Sequence, residues 1–188
     1  MSLFSAIASG NMEAVEALLK ENNARASERD ENGVSAIMFA LYVRERPIAL
    51  RLAEMKRTLD VFEAVSLGDT AQLAAILERD PLAAVDWSPD GFTPLHFAAF
   101  LGTVETAAML IDAGADVSAV SRNPMLVQPL HSAAAACNLE VARVLVERGA
   151  DVNAEQQDGY LPLDAANQNH DAPMQALLRD HGARASRG

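Results

Sequence analysis

The 188-residue chain is half apolar, only 5% aromatic, carries one cysteine and has a formal net charge of -11 at pH 7. That acidity argues against sequence-independent binding to nucleic acid or anionic lipid, which both need clustered Lys and Arg, and a lone Cys137 excludes an internal disulfide. Abundant alanine with few aromatics favours close-packed helices over a β sandwich. Residues 1–10 lack the basic start of a signal peptide, and no stretch approaches the roughly 18 apolar residues of a membrane span. A cytoplasmic chain is therefore expected. The scarcity of lysine beside arginine points to a bacterial source.

Six helix-pair units are readable in order. Residues 1–31 put Leu3, Phe4, Ala6 and Ile7 on a first helix, turn at Gly10-Asn11, and put Val15, Leu18 and Leu19 on a second that Asn11 can cap. The polar stretch 22–32 is expected to form a finger-like loop. Residues 32–57 keep the same phase through Ala40, with Pro47 in the first turn of the next helix, where proline is tolerated. Lys56-Arg57-Thr58 then runs straight into the next unit, so a short connection approaching a continuous helix is expected there. Residues 58–90 give a helix to Leu67, a turn at Gly68, a start resembling a capping box at Asp69-Thr70-Ala71-Gln72, a stop at Pro81, and a finger holding Trp87, Pro89 and Asp90-Gly91.

Residues 91–124 open with Thr93 as N-cap and Pro94 at the first helical position, break at Gly102-Thr103, and close on Gly114, a natural left-handed C-cap. Residues 125–158 repeat this with Pro129-Leu130-His131 and Gly149. Residues 159–188 carry Pro162-Leu163-Asp164 and a diluted apolar pattern suited to a terminal cap, with 183–188 expected to fray. Aligning one alanine per unit gives Ala6, Ala40, Ala64, Ala98, Ala133 and Ala166, separated by 34, 24, 34, 35 and 33 residues.

The words Thr93-Pro94-Leu95-His96-Phe97-Ala98 and Gly114-Ala115-Asp116-Val117, with Gly149-Ala150-Asp151-Val152, resemble the ankyrin repeat, a unit of about 33 residues. The resemblance implies an all-α solenoid of paired antiparallel helices with β-turn or hairpin fingers, forming a single domain over 1–188. The chief departure is the finger missing between the second and third units. The resemblance also implies that His96 and His131, at one repeat position, tie helix to loop by hydrogen bonds.

Chemistry is sparse elsewhere. His131 and Cys137 are six residues apart, a spacing that does not share a helix face, and Cys137 is expected as a small buried thiol at the position normally held by the turn glycine. No metal-ligand spacing or phosphate cradle occurs, and the aspartates sit at turns where they bond their own backbone. No enzymatic centre, cofactor or metal is expected.

What remains is a surface. The resemblance implies a partner lying against the concave face made by finger tips and the late first-helix positions: Tyr42 and Val43, Ser66 and Leu67, Phe100 and Leu101, Ala135 and Ala136, Gln168 and Asn169. Apolar anchors and neighbouring carboxylates make the candidate partner-binding set Trp87, Asp90, Phe92, Phe100, Leu101, Met125, Val127, Asp158 and Tyr160. The expected function is that of a non-enzymatic protein–protein interaction scaffold, monomeric or weakly self-associating. The alternatives are an acidic regulatory or inhibitory subunit for a basic partner, and an enzyme using His131 and Cys137.

Overall fold

Most helices start on a residue whose side chain accepts from the first-turn N–H groups that the helix itself leaves unpaired. Ser2, Asn11, Ser35, Asp60, Asp69, Thr103, Asn138 and Asp171 all do so. The computed structural model describes residues 1–185. It has twelve α-helices among them: α1 (Leu3–Ala8), α2 (Met12–Glu21), α3 (Ala36–Tyr42), α4 (Arg46–Lys56), α5 (Val61–Leu67), α6 (Thr70–Arg79), α7 (Pro94–Phe100), α8 (Val104–Asp112), α9 (Pro129–Ala135), α10 (Leu139–Glu147), α11 (Pro162–Gln168) and α12 (Ala172–Asp180). The odd-numbered helices stack on one another as one row, and on the other side α2 packs on α4 while α6, α8, α10 and α12 stack in order. Each pair lacks a closed core of its own. Stacking buries Ile37, Leu73, Leu95, Leu110, Leu130 and Leu145 completely, making one core along the solenoid.

The fingers are tight turns; among the described residues the ladder is reduced to an isolated bridge between Arg29 and Ser35. Neighbouring fingers are linked by backbone. Arg122 N–H donates to the Gly91 carbonyl at 2.8 Å, and Gln157 N–H to that of Met125 at 3.1 Å.

The N-caps of the first-row helices, Ser2, Ser35, Asp60, Thr93, Gln128 and Leu161, are 33, 25, 33, 35 and 33 residues apart. By this register Ile7 and Val65, not Ala6 and Ala64, hold the place of Ala98. Both neighbours are wholly buried in each case, so apolar pattern alone leaves the register one residue ambiguous.

The connection between α4 and α5 is short but is not a continuous helix. Arg57 adopts a left-handed conformation (φ 64°) that ends α4, and three further residues lead to α5. Two side chains hold it. Lys56 Nζ donates to both oxygens of the fully buried Glu63 at 2.8 and 2.6 Å. Gln72, rather than completing a capping box, accepts from Leu59 N–H and donates to the Arg57 carbonyl. The flanking fingers close over the gap: a Cβ on Gly33 would lie 3.3 Å from Pro89, and Arg29 pairs with Asp60 at 2.9 Å.

The turns joining α1–α2, α5–α6, α9–α10 and α11–α12 pass through positive φ at Gly10, Gly68, Cys137 and His170, as does α3–α4 at Arg44. Cys137 therefore occupies the glycine position, but it is exposed rather than buried, with Asp171 of the next unit's turn beside its thiol. Gly102 is present for another reason. A Cβ there would meet the Ala98 Cα at 2.8 Å and, from unit three, the Val65 carbonyl at 2.9 Å. Of the expected fraying tail, Ala183 and Arg184 are tied down by hydrogen bonds to Leu178 and Asn153; 186–188 lie outside the described residues.

Candidate functional site

Units four to six carry different side chains at the same repeat positions, and that difference opens a cleft. At the fourth and seventh residues after the N-cap, unit four has Phe97 and Phe100, whereas unit five has Ser132 and Ala135 and unit six has Ala165 and Gln168. The change from aromatic side chains to Ser, Ala and Gln leaves about 460 Å³ of space, roofed by finger residues Phe92, Met125, Val127 and Tyr160 and reaching Tyr42 at its far wall. Its size is that of a site for a small ligand or a few side chains.

The aromatic wall is rigid. Phe97 is buried and meets Phe62 and Phe92 edge-on at 5.6 and 5.9 Å and Tyr42 in a stack at 6.4 Å, contacts favoured by the ring quadrupoles. Tyr42 Oη donates to Asp90 Oδ2 at 2.6 Å, and the Ser88 hydroxyl donates to Asp90 Oδ1. Partial burial of the ring, with the Asp90 carboxylate beside it, holds the Tyr42 phenol far above its usual range.

Two buried histidines form the floor. His96 Nδ1 accepts from the Thr93 N–H at 3.2 Å and from the Thr93 hydroxyl at 2.8 Å, which leaves the proton on Nε2 to donate to the Val127 carbonyl of the next finger at 3.0 Å. His131 repeats this with the Gln128 N–H and the Tyr160 carbonyl. Burial pushes the His96 imidazole down to about 4 and lowers that of His131 in the same direction, outweighing the carbonyl bonds. Both are neutral clasps between units, bonded through both ring nitrogens. Asp164 takes the corresponding place in unit six and accepts from Leu161 N–H.

Of the nine candidate residues, Asp90, Phe92, Phe100, Met125, Val127 and Tyr160 line the cleft. Phe100 and Met125 are 46% and 49% exposed, while Val127 is buried and offers the cleft one edge. Three lie outside it. Trp87 packs under the Arg122 guanidinium, 3.9 Å from its ring centroid, as an anchor between fingers; Leu101 is half-buried against the core; Asp158 makes the left-handed turn of its finger at φ 62°. Ser66, read as a surface position, is fully buried. The one-residue register shift explains it, since Leu67 is the counterpart of Phe100. Tyr42 belongs to the cleft although it comes from unit two, and the late first-helix positions Ala135, Gln168 and Asn169 line it with Tyr42.

One finger breaks local rules beside the cleft. Gly33, Gly91 and Gly159 hold positive φ two residues before their N-caps, and at that place the fourth finger puts Leu126 (φ 52°) with its side chain 48% exposed. A branched apolar residue is disfavoured both in that conformation and in water. Such strain gathers at binding surfaces.

His131 lines the cleft and Cys137 does not. The Cys137 thiol is pushed up by desolvation and by the neighbouring Asp171 carboxylate, the opposite of an activated nucleophile. Among the described residues no three His, Cys, Asp or Glu side chains are grouped to hold a metal ion, and no helix is long and apolar enough to cross a membrane.

A family model described as ankyrin repeats (3 copies) matches residues 61–156, just over half of the chain. The chain is 44% identical over 64 residues to a probable E3 ubiquitin-protein ligase of Oryza sativa subsp. japonica and 43% over 65 residues to an E3 ubiquitin-protein ligase of the same plant. Each match takes in 34% of this chain and 14% of the relative. It is 29% identical over 126 residues, 62% of the chain, to an ankyrin repeat and SAM domain-containing protein of Danio rerio, covering 17% of that relative. The chain thus spans about a sixth or less of the length of these curated relatives. With the helix-pair stacking, the repeated histidine clasps and this match in agreement, the chain belongs to the ankyrin repeat proteins.

Proposed function

We propose that this ankyrin solenoid is a non-enzymatic binding scaffold that docks a segment of a partner protein in the cleft of units four to six. The observation that carries the reading is the exposure of Phe100 and Met125 at the rim of a cleft of about 460 Å³ whose aromatic wall is already packed. A preformed wall loses little ordering entropy on binding, so a few apolar anchors supply most of the affinity. Neither histidine has a ring nitrogen left for acid–base work, because Nδ1 accepts from the N-cap N–H of its own helix and Nε2 donates to a carbonyl of the next finger.

The test is affinity capture from a lysate of the source organism with wild type and with a Phe100→Ser, Met125→Ser variant whose helicity and melting temperature match. Loss of a specific protein from the variant supports the cleft. Recovery of the same proteins by both baits refutes it and moves the search to the second helix row. Raising salt separates this reading from an acidic inhibitor of a basic site, which would release its partner far more readily.

A further inference from the structure

The cleft is lined mainly by aromatic and apolar side chains, with the neutral polar groups of Gln156, Gln168 and Asn169 toward units five and six and a carboxylate toward unit four. Among the described residues Asp90 is the one charged side chain that lines it, beside the neutral, buried His96 and His131, and no Lys or Arg among them does. Both Asp90 oxygens accept from neutral hydroxyls, those of Tyr42 and Ser88, and the ion pairs found among the described residues lie elsewhere. A carboxylate has about four acceptor positions. Two are used, so Asp90 is oriented and still able to accept. An acidic group at the end of an apolar slot on a chain of net charge -11 complements a cation on an apolar stem and repels an anion.

Resting on the docking reading above, we propose that the cleft takes a basic side chain of the partner segment, its aliphatic stem lying along Phe92, Phe100 and Met125 and its cationic head on Asp90. Lys and Arg both bury their stems while keeping the charged end paired or wet. Asp90 is pinned by Tyr42 before the partner arrives, so little reorganisation accompanies recognition.

The proposal is tested with three probes of equal chain length, hexylammonium, 1-hexanol and hexanoate, titrated at fixed ionic strength against protein labelled with ¹³C at the methionine methyls, with Met125 as reporter. Hexylammonium is expected to shift the Met125 signal with a Kd at least fivefold below that of hexanol, and hexanoate to bind more weakly than hexanol. Asp90→Asn is expected to bring the ammonium and alcohol affinities within twofold, chiefly by weakening the ammonium. If hexanol binds as tightly as hexylammonium in the wild type, the cation assignment is overturned while the apolar cleft stands. Ammonium preference that survives Asp90→Asn overturns it too, since general acidity would then be the cause. If no probe moves Met125, both the cation assignment and the docking reading fail. The wild-type comparison decides the first and last of these even if the variant folds poorly.

Discussion

Acidification should weaken this protein through His96. Its imidazole is held at about 4 in the fold against 6.5 when exposed, so between those values the unfolded chain binds a proton that the native state refuses. The stabilisation is complete above pH 6.5 and is lost as pH falls toward 4. Going from pH 7.5 to 5.0 removes about 2 kcal/mol from this residue alone, by linkage at 1.36 kcal/mol per unit. The structural cause is burial of the ring, and a proton on Nδ1 would in addition face the Thr93 N–H 3.2 Å away. Urea unfolding followed by far-UV circular dichroism at pH 7.5, 6.0 and 5.0 measures it, with Trp87 fluorescence as a reporter from the adjoining finger. Because carboxylates and His131 titrate as well, the decisive quantity is the difference from His96→Gln. That variant should be less stable at pH 7.5 but lose about 2 kcal/mol less on acidification. Equal pH slopes for both proteins, or a native His96 that titrates near 6.5 by NMR, would refute the reasoning.

Gly102→Ala drives a methyl into backbone atoms of Ala98 and Val65 and should destabilise by about 1–3 kcal/mol, as overpacking does, visible as a lower urea midpoint. Glu63→Ala strands Lys56 beside a buried site; a loss of about 3–5 kcal/mol is expected from breaking such a pair, and a loss under 1 kcal/mol would show that water reaches Lys56. Cys137→Gly relieves a positive φ and should raise stability by about 1 kcal/mol, whereas Cys137→Ala should not. Native Cys137, being exposed, should be labelled by a disulfide reagent without unfolding, at a rate that rises with pH; complete protection at pH 8 would contradict the exposed turn.

The sequence by itself determined the stacked helix pairs, because capping residues, turn glycines and buried leucines recur at one spacing and each needs only local chemistry. It also exposed the missing finger, since a deletion of that length is visible as a shortened interval. The register of units one and three was not legible: Ala6 and Ile7, like Ala64 and Val65, are equally buried, and the N-cap is decided by the geometry of the turn. Nor could sequence show that Lys56 and Gln72 hold the short connection, or that Cys137 points outward.

The candidate surface divides in the same way. Phe92, Phe100, Met125 and Tyr160 could be placed on one face from the ankyrin resemblance, because stacking units carry equal positions to equal places. Sending Trp87 to the neighbouring finger and Tyr42 across to Asp90, 48 residues away, was left to tertiary structure. The reason is physical: a repeat's own spacing governs contacts within and between adjacent units, but which long side chain fills the space over a missing finger depends on how far the flanking units close, and that is set by packing across the whole stack.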